Sequence, residues 1–401
     1  MVATSAAAVS AARSGAEQYP ALTGLRGVAA LAVFALHYAT LFPLPRPALW
    51  PGGPVLDLPL LFAGGWIGVS LFFVLSGALL APPFIRWRQQ GGRRPRLLSY
   101  WRRRLLRVLP AYWAQLILFA TIGGWLTYHA WPDDVYAQIA HWLMFFYLGP
   151  EPVIPIAEVW WTLPVELGFY LLLPLLALGF GRRQWPWLLL GMLLASLLYR
   201  YIAAQHWSDL PNPLRVIYIQ QLPGRIMEFA LGISVAMLLA RAPLRDGWRH
   251  PLLFGGALLI ALWMLGILWV GPQRYWDGHL WMLLAPTIFG LGGAAIVAAL
   301  RSGCRWGDRL FANRAIHGLG VISYSLYLWH FPVMRTLQAH APTQLMADPV
   351  WRPLTVVAVV ISAASISYWL VERPFLRWRG WQSSPANRGA ASNPATVQVR
   401  D

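Results

Sequence analysis

The sequence predicts an all-α, polytopic integral membrane protein with about ten transmembrane helices and both termini in the cytoplasm. Of the 401 residues, 58% are hydrophobic and only 12% are charged, whereas soluble domains carry about 25% charged residues. Apolar stretches of about twenty residues follow one another along the chain, each long enough to cross a hydrocarbon layer of about 30 Å. All 32 basic residues are arginine, and they cluster in alternate links between the stretches, as membrane topology requires.

The ten predicted spans are short of charged residues and are separated by polar or proline-containing links. They lie near residues 22–42, 63–82, 107–129, 159–180, 186–204, 222–240, 251–271, 280–300, 318–336 and 352–371.

The arginine-rich links set the predicted orientation. The link that follows the second span, "RWRQQGGRRPRLLSYWRRRLLR", carries nine arginines. The positive-inside rule places this link, and each alternate link after it, in the cytoplasm. The apolar segment 136–149 is too short to cross the membrane and is predicted to be interfacial or re-entrant.

The domain organisation predicted from this pattern is one membrane domain between two polar tails. Residues 1–18 form a cytoplasmic N-terminal tail, residues 19–380 the transmembrane domain, and residues 381–401 a disordered cytoplasmic C-terminal tail. The predicted location is a membrane, with the lipid bilayer as a partner.

Composition argues against nucleic acid binding, an internal disulfide and a cysteine-based metal site. The formal charge of +17 comes from arginines near span ends, so it predicts no nucleic acid binding. A single cysteine, Cys304, allows neither an internal disulfide nor a cysteine-based metal site. No metal site and no permanently bound cofactor are predicted.

The first span contains two ionisable residues, Arg26 and His37, in "LRGVAALAVFALHY". Each costs about 2.5–3.5 kcal/mol in a membrane span even on a lenient scale. They are eleven residues apart, which places both on one helix face about 16 Å apart along the axis. Because an imidazole exchanges a proton near neutral pH, His37 is the leading catalytic candidate.

Four further ionisable residues fall inside predicted spans. Glu166, Arg225, Glu228 and His330 are all placed toward the outer half of the bilayer. If these spans pack together, two imidazoles and two carboxylates meet in one outer polar chamber. Alternatively, Arg225 and Glu228 neutralise one another on one helix face, Glu166 pairs with an arginine, and His330 caps or snorkels at a span end.

The arginine cluster at the start of the third span has two interpretations. It fixes topology or contacts anionic lipid, or it binds the phosphates of a ligand, because guanidinium groups match phosphate oxygens in pairs. Arg104 and Arg107 share a helix face at a spacing of three, and Arg102 and Arg103 adjoin them.

The segment "WIGVSLFFVLSG" at 66–77 places small residues among aromatic ones. Small residues let helices approach closely in lipid, so this pattern favours helix packing over catalysis for Gly68, Ser70, Ser76 and Gly77.

Taken in order, these segments resemble the acyltransferase family 3 of integral membrane proteins. The similar segments are "LTGLRGVAALAVFALHY" with ten residues between its Arg and its His, "GVSLFFVLSGALL", "YWRRRLLRVLPAYW", "WWTLPVELGFYLLLPLL", "ISYSLYLWHFPV" and "VERPF". The resemblance covers about residues 19–380. Two positions depart from the family pattern: Thr162 stands where Ser is commoner, and Leu167 where a second acid is frequent.

The resemblance implies a location in the bacterial inner membrane and O-acylation, with acetyl as the default acyl group, from cytoplasmic acyl-CoA as co-substrate to a hydroxyl of a carbohydrate or another hydroxyl-bearing molecule. In that scheme His37 is the general base or carries the acyl group transiently. Arg26 holds the thioester or orients His37, and Glu166 orients or tunes a histidine. The acyl-CoA or acceptor binding residues are Arg102, Arg103, Arg104, Arg107, Arg225, Glu228 and His330.

The acceptor class ranked first is a cell-envelope or secreted polysaccharide or its lipid-linked precursor, with partner proteins of a polysaccharide pathway. The main alternative is a proton-coupled transporter of a lipid-linked sugar or small metabolite, since ten spans with buried His, Glu and Arg also suit one. The chain shows no internal repeat, which favours the enzyme.

Overall fold

The computed structural model describes residues 19–46, 58–123, 126, 131–147, 153–210, 212–276 and 279–381, and within these ranges the chain is helical and contains no strand. The predicted tail 1–18 and residues 382–401 lie outside them. In chain order the helices are α1 (Pro20–Leu41), α2 (Leu58–Ala63), a 3₁₀ turn (Gly64–Trp66), α3 (Ile67–Leu80), α4 (Pro82–Gln89), α5 (Leu97–Ile122), α6 (Val135–Leu143), a 3₁₀ turn (Glu158–Trp161), α7 (Thr162–Leu176), a 3₁₀ turn (Ala177–Gly179), α8 (Trp185–His206), α9 (Asn212–Ile219), α10 (Leu222–Arg241), α11 (Asp246–Val270), α12 (Pro272–Trp276), α13 (Leu280–Arg301), α14 (Arg305–Phe311), α15 (Arg314–Val321), α16 (Ser323–His340), α17 (Thr343–Ala347), α18 (Trp351–Ser367), a π-turn (Tyr368–Glu372) and α19 (Arg373–Trp381).

The helices confirm a polytopic membrane protein. Within the described ranges, eight helices are long and apolar enough to cross a membrane, and a ninth is obtained if the bent pair Gly64–Leu80 and Pro82–Gln89 forms one span. The remaining predicted span, 318–336, corresponds to the more polar helix α16. The count of ten and the cytoplasmic placement of both termini therefore stay predictions.

Two predicted span boundaries are wrong. The predicted third span covers 107–129, but α5 begins at Leu97 and ends at Ile122; residues 124, 125 and 127–129 lie outside the described ranges. Hydropathy excluded the arginine-rich segment before residue 107, whereas arginine is a good helix former and continues the helix. The ninth predicted span is interrupted at Ile322, between α15 and α16.

The short segment predicted at 136–149 contains most of α6, which begins after Asp134 and ends at Leu143; residues 148 and 149 lie outside the described ranges. The Asp134 side chain caps it by accepting a hydrogen bond from the Ala137 amide. Nine residues rise about 14 Å, less than half of a hydrocarbon layer. This agrees with the prediction that the segment does not span.

Helix α10 is the centre of the bundle. It packs against α3, α7, α8 and α13. Of its most apolar 18-residue stretch, 72% is buried inside the protein, compared with 17% for the corresponding stretch of the peripheral helix α11. Helix α3 in turn contacts α1 and α13. The first span is thereby fixed against the most buried part of the protein.

Glycines bring these central helices into direct backbone contact. A Cβ at Gly68 of α3 would lie 2.1 Å from the Ala29 carbonyl oxygen, one at Gly77 2.1 Å from that of Phe229, and one at Gly232 2.0 Å from that of Val74. Nothing but hydrogen fits at these positions. The prediction that Gly68 and Gly77 serve helix packing is supported by these distances.

We expect Gly77→Ala to destabilise the protein markedly, because the new methyl group must displace the backbone of α10. Thermal unfolding in detergent measures the effect. The matched control is Gly191→Ala in α8, where a Cβ meets nothing within 4 Å. That variant should unfold at the wild-type temperature or above it, since alanine favours helix by about 1 kcal/mol. Equal behaviour of the two variants would contradict the close-packing account.

Candidate active site

Two imidazoles meet where α1 packs against α16. The Nδ1 atom of His37 lies 2.9 Å from Nε2 of His330 and 3.0 Å from the Val33 carbonyl oxygen. Nδ1 of His330 lies 3.1 Å from the Leu326 carbonyl oxygen. His330 is only 1% exposed, whereas His37 is half-buried. The more accessible imidazole is thus held by the buried one.

These contacts define where the protons lie when both rings are neutral. A carbonyl oxygen only accepts hydrogen bonds, so Nδ1 of His330 donates to Leu326 and its Nε2 carries the lone pair. Nδ1 of His37 must then donate to that lone pair, while also facing the Val33 carbonyl. The lone pair of His37 is left on Nε2, which has no hydrogen-bond partner in the described part of the chain. An oriented, unoccupied Nε2 is what a general base requires.

His141 shows the contrasting arrangement of a structural histidine. Its Nδ1 lies 2.7 Å from the Ala137 carbonyl oxygen, and its Nε2 accepts a hydrogen bond from the Ile156 amide at 3.2 Å. Both ring nitrogens are occupied by backbone, and burial lowers the pKa of this imidazole. His141 therefore holds α6 in place and has no nitrogen available for substrate.

A cavity of about 100 Å³ lies beside α1 and contains Arg26, Arg104, Arg107 and Glu166. These residues come from α1, α5 and α7. The Arg26 Nε donates to the Ser323 hydroxyl at 3.4 Å, and the Arg104 Nε is buried without a hydrogen-bond partner. The apolar part of the wall includes side chains such as Phe72. The cavity therefore offers guanidinium groups to a ligand in an otherwise apolar interior.

Charge in this cavity is incompletely balanced. Arg107 forms an ion pair of 2.8 Å with Glu372, whose other oxygen accepts a hydrogen bond from Ser325 at 3.0 Å. Glu166 accepts a hydrogen bond from Tyr170. Three guanidinium groups, those of Arg26, Arg104 and Arg107, thus face two carboxylates, and one positive charge remains for an anionic or polarised ligand.

Tyr327 is the wall shared by the cavity and the histidine pair. It lines the cavity, and its ring centroid lies 5.7 Å from that of His330. Its hydroxyl donates to the Val159 carbonyl at 2.9 Å and accepts from Thr162 at 2.9 Å. Thr162 supplies here the hydroxyl that the commoner serine would carry. One aromatic ring therefore separates the arginine cavity from His330.

Sequence reasoning missed Glu372, Ser323, Tyr170 and Tyr327. Glu372 was part of the quoted segment "VERPF", and an acid at the end of a span was a usable signal. Its partner Arg107 lies far away in sequence, so no spacing rule could pair them. No metal site is indicated: the described residues hold no cluster of three or more His, Cys, Asp or Glu side chains.

The single outer chamber expected from span depths does not form. Glu166 faces the arginine cavity, where it contacts Tyr170, and Arg26 contacts Ser323. Neither residue contacts His37 or His330. His37 is oriented by Val33 and His330 instead. The depth argument failed because Glu166 lies about 12 Å inside the start of its span at Glu158, and Arg26 lies about 9 Å inside the start of its span at Pro20, on the opposite side of the membrane. Across about 30 Å of hydrocarbon, long side chains at these depths meet near the middle.

The four arginines predicted to bind acyl-CoA separate into two pairs. Arg104 and Arg107 line the cavity, whereas Arg102 and Arg103 do not, and Arg102 is exposed. Helix α5 begins at Leu97, so Arg104 and Arg107 lie two to three turns inside it. They therefore face the interior of the bundle instead of its surface. Successive helical residues point about 100° apart, which explains the division.

Arg225 and Glu228 neutralise one another instead of facing a ligand. Their side chains are 2.7 Å apart and at most 1% exposed. Arg225 also donates to Gln220 at 2.6 Å and to Ser70 at 3.1 Å. Neither residue lines the arginine cavity. Of the two interpretations left open by the sequence, the structure supports the ion pair, and the substrate-binding role is not supported.

We expect Glu228→Ala to cost about 3–5 kcal/mol of stability, because it leaves the Arg225 charge buried without a partner. Thermal unfolding of the purified protein measures this loss. The matched control is Glu158→Ala, which breaks the exposed Arg335–Glu158 pair of 3.2 Å and should cost at most about 1 kcal/mol. A Glu228 variant as stable as the Glu158 variant would show that the buried pair is dispensable.

The profile of an acyltransferase domain, acyltransferase family 3, matches residues 19–372. This chain belongs to acyltransferase family 3. It is therefore a membrane-embedded acyltransferase, and the family and its relatives support transfer to oxygen. No solved structure matches it.

Three relatives show what the chain is similar to. Acyltransferase MdmB of Streptomyces mycarofaciens is 29% identical over 95% of this chain and 96% of its own length. A Staphylococcus aureus protein provisionally named an O-acetyltransferase is 24% identical over 91% of this chain and 59% of its own. Bacillus subtilis YrhL, provisionally named a peptidoglycan O-acetyltransferase, is 26% identical over 91% of this chain and 56% of its own. The chain thus spans little more than half the length of the last two.

Proposed function

We propose that this enzyme transfers a short acyl group, acetyl in the first instance, from acyl-CoA to a hydroxyl of a cell-envelope or secreted polysaccharide or its lipid-linked precursor. The proposed location is the bacterial inner membrane. The single observation that carries the proposal is the contact of 2.9 Å between Nδ1 of His37 and Nε2 of the buried His330, which leaves Nε2 of His37 free to carry a lone pair. The relative named for peptidoglycan O-acetylation supports a polysaccharide as the acceptor class.

In the proposed reaction, His37 acts as general base on the acceptor. Nε2 takes the proton of the acceptor hydroxyl while the hydroxyl oxygen attacks the thioester carbonyl carbon. The carbon–sulfur bond breaks and the CoA sulfur leaves as a thiolate, and the proton held on Nε2 of His37 then passes to that thiolate, which gives free CoA and restores the neutral imidazole. The imidazolium formed on His37 is stabilised by its Nδ1 proton, which points at the Val33 carbonyl and at the lone pair of His330.

His330 is the proposed positioning residue for this base. With His330 in place, the Nδ1 proton of His37 has a fixed acceptor, and the reactive lone pair stays on Nε2. Without it, the ring of His37 loses one of its two contacts at Nδ1 and is free to populate the other tautomer. This role differs from the substrate-binding role first predicted for His330, and it is argued from the contact between the rings.

Arg26, Arg104 and Arg107 are the proposed donor-binding residues. The excess positive charge of their cavity suits the developing negative charge of a thioester oxygen or departing thiolate. The relatives that are named O-acetyltransferases favour a short acyl group. Tyr327 lines the arginine cavity and its ring is near that of His330. The proposed route of the acyl group from donor to acceptor therefore passes beside the Tyr327 ring.

The experiment is an acyl-transfer assay on the purified full chain in lipid nanodiscs. Labelled acetyl-CoA is supplied with a polysaccharide-precursor extract, and both free CoA and labelled acceptor are measured. We expect His37→Ala to lower kcat by about 10²–10⁴-fold, the usual range for loss of a general base. His330→Ala should lower kcat by a smaller factor, and His330→Gln should restore part of it, because the glutamine oxygen can accept from Nδ1 of His37.

Arg104→Gln should chiefly raise the KM for acetyl-CoA and approach wild-type rates at high donor concentration. The control variants are His141→Gln, which removes a structural imidazole, and Arg183→Gln, which removes an exposed charge on a turn. The proposal fails if His37→Ala turns over normally. It also fails if the wild type releases no CoA with any acyl-CoA and acceptor extract offered.

A further inference from the structure

A second, larger cavity of about 260 Å³ lies at the end of the bundle that the arginine distribution predicts to be cytoplasmic. Its wall is formed by the start of α1, the connection between α10 and α11, and the end of α13. Its polar residues are Tyr19, Arg249, Arg301 and Ser302. None of these was predicted to take part in function, and none lines the arginine cavity of the proposed active site.

Both guanidinium groups of this cavity keep unused donors. Arg301 donates one terminal nitrogen to the Ala78 carbonyl at 3.1 Å and stacks over the Tyr19 ring at 5.5 Å. Arg249 pairs one terminal nitrogen with Asp246 at 2.7 Å, and that carboxylate is 86% exposed. The Nε atoms of both arginines are buried without a hydrogen-bond partner. The two guanidinium groups therefore have one carboxylate between them, that of the exposed Asp246. Their Nε donors have no hydrogen-bond acceptor among the described residues.

We propose that the cavity of Tyr19, Arg249, Arg301 and Ser302 binds a phosphate ester. Phosphate oxygens are the acceptors that guanidinium groups bind in pairs, and two arginines from separate helices converge on a space far larger than one water. A carboxylate ligand would satisfy fewer donors. A purely apolar occupant would leave both charges without compensation, which makes it the less favourable choice.

Two sources of phosphate reach this end of the bundle. One is the nucleotide end of a CoA thioester, and the other is the headgroup of an anionic lipid. The nucleotide source agrees with the position of the cavity along α1, because Tyr19 precedes Arg26 by seven residues, nearly two helical turns, or about 10 Å on the same face. The shared chemistry, a phosphate ester on two guanidinium groups, does not depend on which source is used.

The test measures binding to the purified full chain with two probes. Adenosine 3′,5′-bisphosphate represents the nucleotide end of CoA and is followed by isothermal titration. Retained phosphatidylglycerol, after exchange into phosphatidylcholine nanodiscs, is followed by native mass spectrometry. The variants are Arg249→Gln and Arg301→Gln, and the matched control is Arg245→Gln, an exposed arginine at the start of α11 that does not line the cavity.

We expect at least one probe to bind the wild type and to bind both cavity variants about tenfold or more weakly, the effect of losing a charge-assisted hydrogen bond. Arg245→Gln should bind as the wild type does. Loss of the nucleotide alone assigns the site to CoA, and loss of the lipid alone assigns it to a headgroup. Arg249→Gln breaks only the ion pair with the exposed Asp246, so this variant is expected to fold. It can therefore still be tested for probe binding if Arg301→Gln does not fold.

Three results would overturn the phosphate site. In the first, the wild type binds neither probe. In the second, the two cavity variants bind both probes as tightly as the wild type does. In the third, Arg104→Gln abolishes nucleotide binding, whereas both cavity variants still bind the nucleotide and retain the lipid as the wild type does. The last result would place the nucleotide in the proposed active site alone. Acyl-transfer activity is not the readout, so failure here leaves the proposed function standing.

Discussion

A charge placed in hydrocarbon without compensation costs several kcal/mol, and this cost organises the interior of the protein. Arg225 is matched by Glu228, and Arg107 by Glu372. Arg352 donates instead to the Tyr38 hydroxyl and to the carbonyls of Pro43 and Met346. Arg26 and Arg104 are compensated only in part, and both face a cavity. The structure thus separates ionisable groups that hold the fold from those left available to a ligand.

Close helix packing makes the histidine pair possible. Glycines in α3 bring α1 and α10 within backbone contact of it, so the first span is fixed in the bundle interior. Helix α16 contacts the same span and contributes His330. The hydrogen bond of 2.9 Å between the two imidazoles then orients one lone pair without any carboxylate. In this respect the site differs from a triad in which an acid orients the base.

Much of the fold was available from the sequence, because the length of an apolar stretch and the placement of arginine are local properties. Most span positions, the short helix at 136–149 and the small-residue packing at Gly68 and Gly77 could be predicted in this way. The start of α5 could not, because hydropathy does not detect a helix that continues past its apolar part. His37, Arg26 and Glu166 were predicted from the sequence as ionisable residues inside spans, and Arg104 as a residue at the start of a span, but the side chains that they contact were not predicted. Pairing His37 with His330, or Arg107 with Glu372, depends on which helices touch, and depth alone does not decide that.

The central claim is that His37 holds its proton on Nδ1 and presents a bare Nε2. Nitrogen NMR of the protein labelled with ¹⁵N-histidine, in lipid at neutral pH, tests this directly, and the His37→Gln variant identifies the signals. The account predicts a protonated Nδ1 and an unprotonated Nε2 for His37, with the Nδ1 signal changed in His330→Gln. A protonated Nε2 with a bare Nδ1 would contradict it, because that tautomer has its lone pair on Nδ1, which faces Val33 and His330 and not the acceptor hydroxyl.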